Sequence, residues 1–409
     1  MLALTVRRAT QQLKSSLFSG LPKGRSLVNK LENRPFAQLD PTRTVVTLAP
    51  EVCNRMGAFG SRVSQEKLDT IQDEVLARIS DYARDVDKKP VSFKRVRTVV
   101  GSDENGPDVI HSIECHPLNS DASTVNSQKP IVMLHGYGAG SLLFANNMCD
   151  IAQSTGRSVI AVDWLGCGSS GRPKWIAKDE LEAIDWFIEP LDKWRAHRRL
   201  EKFDIVAHSL GGYLATHYVL KMGSKYVDKL VLASPFGIPE IPDGFGKDAG
   251  WFLRSIFWLW DRGVNPNQLV RGVGPYGPKF VRKSFQARCG SLTLGFKGLN
   301  EEDESSNTLL ADYMYQITAM PASGEHALSA IMVPGAFARR PLIRDLPELS
   351  GIELMIIYGN RDWLARDLGT TKAALEESNL PKAEMEILPG NHHIYLSPYF
   401  DNLVTDFFK

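Results

Sequence analysis

The pentapeptide Ala207-His208-Ser209-Leu210-Gly211 lies between two runs with opposite secondary-structure preferences. Residues 203–206 favour a β-strand, and residues 212–220 have the composition of a packed helix. A serine at such a strand-to-helix corner is held on a strained turn that exposes its hydroxyl above the sheet. Small residues two before and two after the serine let the turn close, although alanine replaces the usual first glycine here. The pentapeptide therefore predicts a nucleophilic serine, Ser209.

Short apolar strand patterns alternate with helix patterns on both sides of this corner. The pattern predicts a first helix and then two β-prone runs, at residues 65–85, 92–100 and 109–115. Further strands are expected at residues 131–134, 158–162 and 229–233, with helices at residues 143–154 and 184–198. Such alternation is typical of a mostly parallel sheet with helices on both faces. Together with the serine corner it predicts an α/β-hydrolase fold.

The alternation stops after Pro235 and resumes with a strand at residues 354–358. The residues between are rich in glycine, proline and aromatics, which favours a helical lid inserted into the sheet. We therefore divide the chain into a first part of the core (65–234), a lid (235–345) and a last part of the core (346–409). That last part is expected to hold a strand at 383–388 and a helix at 403–408.

A nucleophilic serine needs a histidine base, and the histidine needs a carboxylate to orient it. In the predicted fold these partners follow the serine in the order acid, then histidine, each after a strand. Asp362 directly follows the strand at 354–358, and we choose it over Asp367, which we interpret as a helix-surface charge. His392 follows the last strand and is our choice as the base, with His393 packing against the lid or the surrounding shell.

The oxyanion of an acyl-transfer intermediate needs backbone donors. The residue after the nucleophile, Leu210, supplies one N–H, and we assign the second to Tyr137 in the glycine-rich loop 135–140. We interpret His135 as an organiser of that loop. Asp163 precedes the serine in the chain and is expected to hold a loop turn instead of acting as the catalytic acid.

Composition excludes several other classes of protein. The 409 residues carry a formal net charge of +1, and no basic motif points to nucleic acid. The five cysteines lack metal-type spacing, and we expect them to be reduced. No phosphate-binding or dinucleotide fingerprint is present. We therefore predict no metal and no cofactor.

The first thirty residues differ from the rest of the chain. They carry several Lys and Arg residues with Ser and Thr, and no acid occurs before Glu32. This composition is typical of a mitochondrial presequence, and a disordered basic leader is the alternative for residues 1–35. Mitochondrial localisation is therefore expected, with a cytoplasmic or lipid-droplet location as the alternative. No apolar run approaches the roughly 20 residues that cross a bilayer.

The chain resembles the α/β-hydrolase domain-containing proteins four and five, a group that includes the fungal cardiolipin deacylases. The resemblance covers about residues 65 to 409. In the core it rests on residues 135–138 (His-Gly-Tyr-Gly), 163–173 and 208–216. In the lid it rests on residues 265–266, 271–278, 313–316, 321–325 and 338–341.

The resemblance implies deacylation of phospholipids by a serine hydrolase, as a phospholipase, lysophospholipase or cardiolipin deacylase. Some members are lysophosphatidic acid acyltransferases, and these carry a His-x4-Asp element that here has Ser397 in place of the aspartate. Protein five has lost its nucleophile and regulates a lipase, whereas Ser209 is present here. Acyltransfer and a non-catalytic, lipid-associated regulatory role are therefore the alternatives, and a third alternative keeps the hydrolase chemistry with a small soluble ester as substrate.

The lid composition suggests contact with a phospholipid membrane or a lipid-droplet surface. Trp251, Phe257 and Trp258 belong to an aromatic segment that could enter an interface, where tryptophan is favoured. Arg271 and Arg282 are candidates for binding anionic head groups. The alternative is that the aromatic residues only cover the pocket and that the cations form a solvated face.

Overall fold

The computed structural model describes residues 63–104, 106–118, 128–245, 255, 258–260, 262–289, 296–299 and 304–409. An eight-stranded sheet forms its centre, in the order β1-β2-β4-β3-β5-β6-β9-β10. The strands are β1 (Val91–Asp103), β2 (Gly106–Pro117), β3 (Ile131–Leu134), β4 (Val159–Val162), β5 (Phe203–His208), β6 (Val227–Ala233), β7 (Met332–Val333), β8 (Phe337–Ala338), β9 (Glu353–Gly359) and β10 (Lys382–Leu388).

The sheet is mostly parallel, as the sequence predicts. From β4 to β10 each neighbouring pair of strands in the sheet is parallel. The β1–β2 hairpin joins at the β4 edge, where β2 pairs antiparallel with β4. All parallel strands therefore end at one edge, and the loops that follow them meet there.

Helices cover both faces. They are α1 (Gln65–Asp85), α2 (Ala145–Thr155), α3 (Glu180–His197), α4 (Leu210–Met222), α5 (Pro266–Gly272), α6 (Gly277–Cys289), α7 (Glu304–Ala319), α8 (Ala327–Ile331), α9 (Leu368–Glu376) and α10 (Phe400–Phe408). In β3, Ile131 and Met133 pack on the face covered by α1, α2 and α10, whereas Val132 and Leu134 face α3 and α4. This two-residue alternation divides the core into two apolar layers.

The segment between β6 and β9 contains α5 to α8, so the inserted lid is helical, as predicted. It also contains a short hairpin of β7 and β8, which the sequence analysis did not anticipate. Helix α7 packs against α1, where the Ser64 N–H donates to Gln316 Oε1 at 3.1 Å. The helix that precedes the sheet thus contacts the lid directly.

The predicted element boundaries were wrong by a few residues at several ends. Helix α3 begins at Glu180 instead of residue 184, because the Asp179 side chain caps it by accepting the Glu182 N–H. Helix α2 begins at Ala145 because a 3₁₀ turn, Ser141–Phe144, precedes it.

Within the described part of the chain, no helix is both long and apolar enough to cross a membrane.

Candidate active site

Ser209 lies at the corner between β5 and α4. Its backbone has φ 53° and ψ −120°, a conformation that a non-glycine residue rarely adopts. The turn is held because the Ser209 N–H donates to the Ala233 carbonyl at 3.0 Å. Gly211 is required for close approach, since a Cβ there would lie 2.6 Å from the Leu134 carbonyl oxygen. The strained turn directs the hydroxyl out of the sheet.

The three side chains predicted to act together are adjacent in the structure. The His392 Nε2 atom lies 3.0 Å from Ser209 Oγ. On the other side of the same ring, Nδ1 lies 3.2 Å from Asp362 Oδ1. Serine, histidine and carboxylate therefore form a continuous hydrogen-bonded chain, the arrangement that activates a serine hydroxyl.

Asp362 is buried at the end of β9. Burial by itself raises the pKa of this carboxyl, but the hydrogen bond and the charge of His392 lower it, together with the Leu364 N–H and the Ser234 hydroxyl. The net result is a pKa below the ordinary value. The carboxylate is therefore ionised at neutral pH and can hold the His392 Nδ1–H in place.

The proposed oxyanion donors flank the serine. Leu210 is the first residue of α4, so its N–H has no acceptor within the helix. The glycine-rich loop after β3 lies directly against the nucleophile, since a Cβ on Gly136 would be 2.8 Å from the Ser209 Cβ. Among the described residues, neither the Leu210 N–H nor the Tyr137 N–H has a backbone acceptor. Both are available to a substrate oxygen.

His208 has a role that the sequence analysis did not assign. Its Nε2 lies 2.9 Å from the carbonyl oxygen of His392, so this nitrogen carries the proton and donates it. Burial and the neighbouring histidines hold the pKa of His208 well below its ordinary value. His208 thus fixes the backbone of His392. The position of His208 directly before Ser209 in the pentapeptide is the sequence feature that could have indicated this role.

Asp163 and His135 organise loops, in agreement with their interpretation from sequence. Asp163 accepts the backbone N–H groups of Ser141 at 2.6 Å and Ser169 at 2.9 Å. His135 Nδ1 bonds to the Gly136 carbonyl at 2.8 Å. His393 lies in the shell around the triad, where its Nδ1 is 3.0 Å from the Tyr395 hydroxyl.

The lid residues predicted to contact lipid have different surroundings. Arg271 is mostly buried and forms a bidentate ion pair with Glu325, so contact with a head group would require that pair to open. Arg282 lies 3.0 Å from the Thr308 hydroxyl. Trp258 is 40% exposed, and Arg262 stacks on it with its Cζ 3.6 Å from the indole centroid. Trp251 and Phe257 lie outside the described residues.

A polar chain connects the oxyanion loop to the lid. The Tyr137 hydroxyl lies 3.3 Å from Asn267 Oδ1, and the Asn267 amide donates to Glu325 at 3.1 Å. Glu325 in turn holds Arg271.

Among the described residues, no three metal-ligating side chains are grouped to hold a metal ion.

The fold and the triad geometry are those of an α/β hydrolase. The family model described as alpha/beta hydrolase fold matches residues 129–399. ABHD5 of Mus musculus, named a 1-acylglycerol-3-phosphate O-acyltransferase, is 32% identical over 281 residues, which cover 66% of this chain and 74% of the relative. The chain belongs to the α/β-hydrolase family and, within it, to the group of domain-containing proteins four and five.

Two plant relatives carry similar names. A 1-acylglycerol-3-phosphate O-acyltransferase of Arabidopsis thaliana is 36% identical over 274 residues, covering 65% of this chain and 62% of that protein. A probable enzyme of the same name from Oryza sativa subsp. japonica is 35% identical over 271 residues, covering 65% of this chain and 63% of the relative. The matched region thus spans less than two thirds of the plant relatives' length.

Solved structures support the fold. Bromoperoxidase from Bacillus anthracis is 19% identical, with a TM-score of 0.53 over 77% of this chain and 99% of that one. A bacterial membrane phospholipase A is 15% identical, with a TM-score of 0.54 over 83% of this chain and 91% of that one. At these identities the likeness concerns the fold alone.

Proposed function

We propose that this protein is a serine hydrolase that removes acyl chains from phospholipids or lysophospholipids. The observation that carries the proposal is the position of His392, 3.0 Å from the Ser209 hydroxyl and 3.2 Å from the Asp362 carboxylate. A serine nucleophile that transfers acyl groups uses this arrangement of base and carboxylate.

In the proposed reaction Ser209 Oγ attacks the ester carbonyl carbon, and its proton passes to His392 Nε2. The carbonyl oxygen becomes an oxyanion that accepts the Leu210 and Tyr137 N–H groups. When the ester C–O bond breaks, His392 returns the proton to the leaving glycerol oxygen, which leaves an acyl-serine. Water then attacks with His392 as base, and the fatty acid and free Ser209 are released.

A lipid substrate is supported by the names of the relatives and by the lid surface. The relatives from mouse, Arabidopsis and rice are named for an acyl-glycerophosphate. On the lid, Trp258 and Leu259 are 40% and 41% exposed, respectively. An exposed indole next to an apolar side chain suits the boundary between head groups and acyl chains. We therefore propose peripheral docking on a phospholipid surface, with cardiolipin as a specific candidate substrate.

Acyltransfer to lysophosphatidic acid is the second candidate, favoured by those same names. It requires an acyl donor such as acyl-CoA, which loses its acyl group to Ser209 and leaves as the free thiol, and a lysophospholipid hydroxyl that replaces water in the second step. At the His-x4-Asp position, Ser397 donates its hydroxyl to the Pro389 carbonyl at 3.0 Å and is mostly buried. It therefore braces the loop that carries His392 and makes no hydrogen bond to the triad.

The test compares wild type with Ser209→Ala on vesicles containing cardiolipin or lysophospholipid. Free fatty acid is measured in one arm, and phosphatidic acid formed from acyl-CoA and lysophosphatidic acid is measured in the other. Ser378→Ala, two residues after the end of α9, is the matched control. We expect fatty acid release that disappears only with Ser209→Ala; a faster yield of phosphatidic acid would select the acyltransferase.

Two outcomes would contradict the enzyme assignment. One is equal product formation by wild type and Ser209→Ala. The other is full cellular function of Ser209→Ala while deletion of the aromatic lid segment 251–260 abolishes function. The second outcome is the one that a non-catalytic regulator of lipid metabolism predicts.

We also propose that residues 1–30 direct the protein to mitochondria, on the basis of their basic, acid-free composition. Imaging of carboxyl-terminal fusions with and without residues 1–30 tests this. We expect mitochondrial signal only for the longer form. Identical cytoplasmic or lipid-droplet signal from both forms would contradict it.

A further inference from the structure

Arg366 lies between the catalytic acid and helix α9, and its guanidinium is fixed on several sides. Its Nε donates to the Trp363 carbonyl at 2.9 Å, and Nη1 donates to the Gly335 carbonyl in the lid hairpin at 2.8 Å. Its Cζ lies 4.8 Å from the ring centroid of Phe337 and 5.6 Å from that of Trp363. The cation is therefore held in one orientation.

Within the described part of the chain, this fixed cation is not ion-paired. Among the described residues, no carboxylate forms an ion pair with Arg366, and its Nη2 makes no hydrogen bond. The carboxylate of the next residue, Asp367, accepts the Thr370 hydroxyl at 2.8 Å. Burial lowers the pKa of the Arg366 guanidinium, an effect that the charge of Asp362 partly offsets. A partly desolvated cation without a paired anion is costly, which points to a ligand that supplies the charge.

The position of Arg366 relates it to the reaction centre. The Trp363 ring lies 5.4 Å from the His392 ring and 5.6 Å from the Arg366 Cζ, so one indole separates the guanidinium from the catalytic imidazole. Trp363 is also 52% exposed. A large apolar ring left in water beside a catalytic histidine is a surface on which a substrate can pack.

We propose that Arg366 and Trp363 form a subsite for the phosphate group of a glycerophospholipid substrate. The free Nη2 and the remaining Nη1–H bind the phosphate oxygens, and the glycerol carbons pack on the indole. Arginine suits this role because its planar fork of donors matches phosphate geometry. This assignment rests on the proposed function, since it places the scissile ester at Ser209.

The subsite differs from the lid cations in its charge balance. Arg271 already has its bidentate partner in Glu325, so an added anion would compete with a buried carboxylate. Arg366 has no ion-paired carboxylate among the described residues, so its guanidinium can pair with a bound phosphate. The neighbouring Arg361 is exposed and lies on the same loop, which makes it the matched control.

The experiment compares hexanoyl lysophosphatidic acid with hexanoylglycerol, which has the same ester but lacks the phosphate. For Arg366→Gln we expect KM for the phosphate-bearing substrate to rise about tenfold, equivalent to about 1.4 kcal/mol, with kcat little changed. KM for hexanoylglycerol should change less than about twofold, because the missing interaction is with phosphate alone. Arg366→Lys should recover part of the loss, and Arg361→Gln should resemble wild type.

Equal losses on both substrates would overturn the subsite and leave Arg366 as a clamp between the lid hairpin and the acid loop. No loss on either would also overturn it. A second arm does not depend on turnover: calorimetric binding to Ser209→Ala, with and without Arg366→Gln. Weaker binding of hexanoyl lysophosphatidic acid but not of hexanoylglycerol supports the subsite, even if wild type hydrolyses neither. Glycerol 3-phosphate binding as tightly as the lipid would reassign the subsite to a free phosphate.

Discussion

Two aspartate–histidine pairs lie at the edge of the sheet where the parallel strands end. Asp163 follows β4 and lies 2.9 Å from His111 Nδ1; Asp362 follows β9 and lies 3.2 Å from His392 Nδ1. Asp163 and His111 are both fully buried, whereas the His392 side chain is 15% exposed.

The second ring nitrogen distinguishes the two pairs. His392 Nε2 faces Ser209 Oγ, whereas His111 Nε2 has no hydrogen-bond partner among the described residues. Asp163 also accepts two backbone N–H groups and so fixes two loops. A carboxylate–imidazole pair becomes a candidate for proton transfer only when a nucleophile and solvent can reach its far nitrogen. Without them, it is a structural element.

The largest difference is expected from removing the charge at each aspartate in turn. Asp362→Asn should lower kcat by about 10⁴-fold, because an amide presents its N–H to His392 and favours the wrong tautomer. The measurement is the steady-state rate on the best ester substrate. Asp163→Asn, corrected for its folded fraction, should retain a rate near that of wild type. A small loss for Asp362→Asn would contradict the role of this residue.

In stability, Asp163→Asn should have a larger effect than Asp362→Asn. Asp163→Asn should lower the free energy of unfolding by about 2–4 kcal/mol, because the charge-assisted bonds to two loops and His111 are lost in a buried place. Urea unfolding followed by tryptophan fluorescence measures this. Asp362→Asn serves as the comparison and should lose less, since its carboxylate holds fewer backbone groups. An equal loss in both variants would contradict the distinction.

The stabilisation that Asp163 provides should also depend on pH. Burial raises the pKa of Asp163, but His111, His135 and the Ser169 N–H together lower it to about 2, against an ordinary 3.8. The unfolded chain therefore binds this proton more tightly. The stabilisation, about 2 kcal/mol, is present above pH 4 and is lost as the pH falls toward 2.

The measurement is the free energy of unfolding of wild type and Asp163→Asn between pH 5 and pH 2. The difference between the two proteins should shrink as the pH falls through this window. A difference that is constant with pH would show that the Asp163 carboxylate contributes nothing through its charge.

The smallest effect is expected at Asp367, the acid that the sequence analysis set aside. It is exposed, and among the described residues its carboxylate accepts only the Thr370 hydroxyl. Asp367→Asn should change kcat by less than about twofold and stability by less than about 0.5 kcal/mol. Rates and urea midpoints measured beside Asp362→Asn check this, and a loss comparable to that of Asp362→Asn would exchange the two assignments.

The sequence sufficed for features that depend on order along the chain. Ser209, Asp362 and His392 each follow a strand of one parallel sheet, so the fold itself brings them to the same edge. The alternation of apolar residues likewise predicted the strands and most helices. Such features need no knowledge of which loop contacts which.

Contacts between distant parts of the chain could not be predicted. His208 donates to the backbone carbonyl of His392, an acceptor that no side-chain pattern reveals. Arg271 meets Glu325 across 54 positions, so its neutralised charge could not be foreseen. Arg366 gains Phe337 as a neighbour only because the lid hairpin packs on the acid loop, whereas Trp363 lies three residues away in the sequence.

Helix α1 limits how much of the amino-terminal segment could be removed without loss of the fold. Leu68, Val75 and Ile79 are fully buried in the layer that also holds the lid helix α7, and each contributes about 1.5–3 kcal/mol. Removal of residues before Ser64 would keep this helix and its contact with the lid helix α7. Removal of residues beyond Ser64 would also remove part of the apolar core. The start of helix α1 is therefore the point beyond which a shortened chain would lose stability.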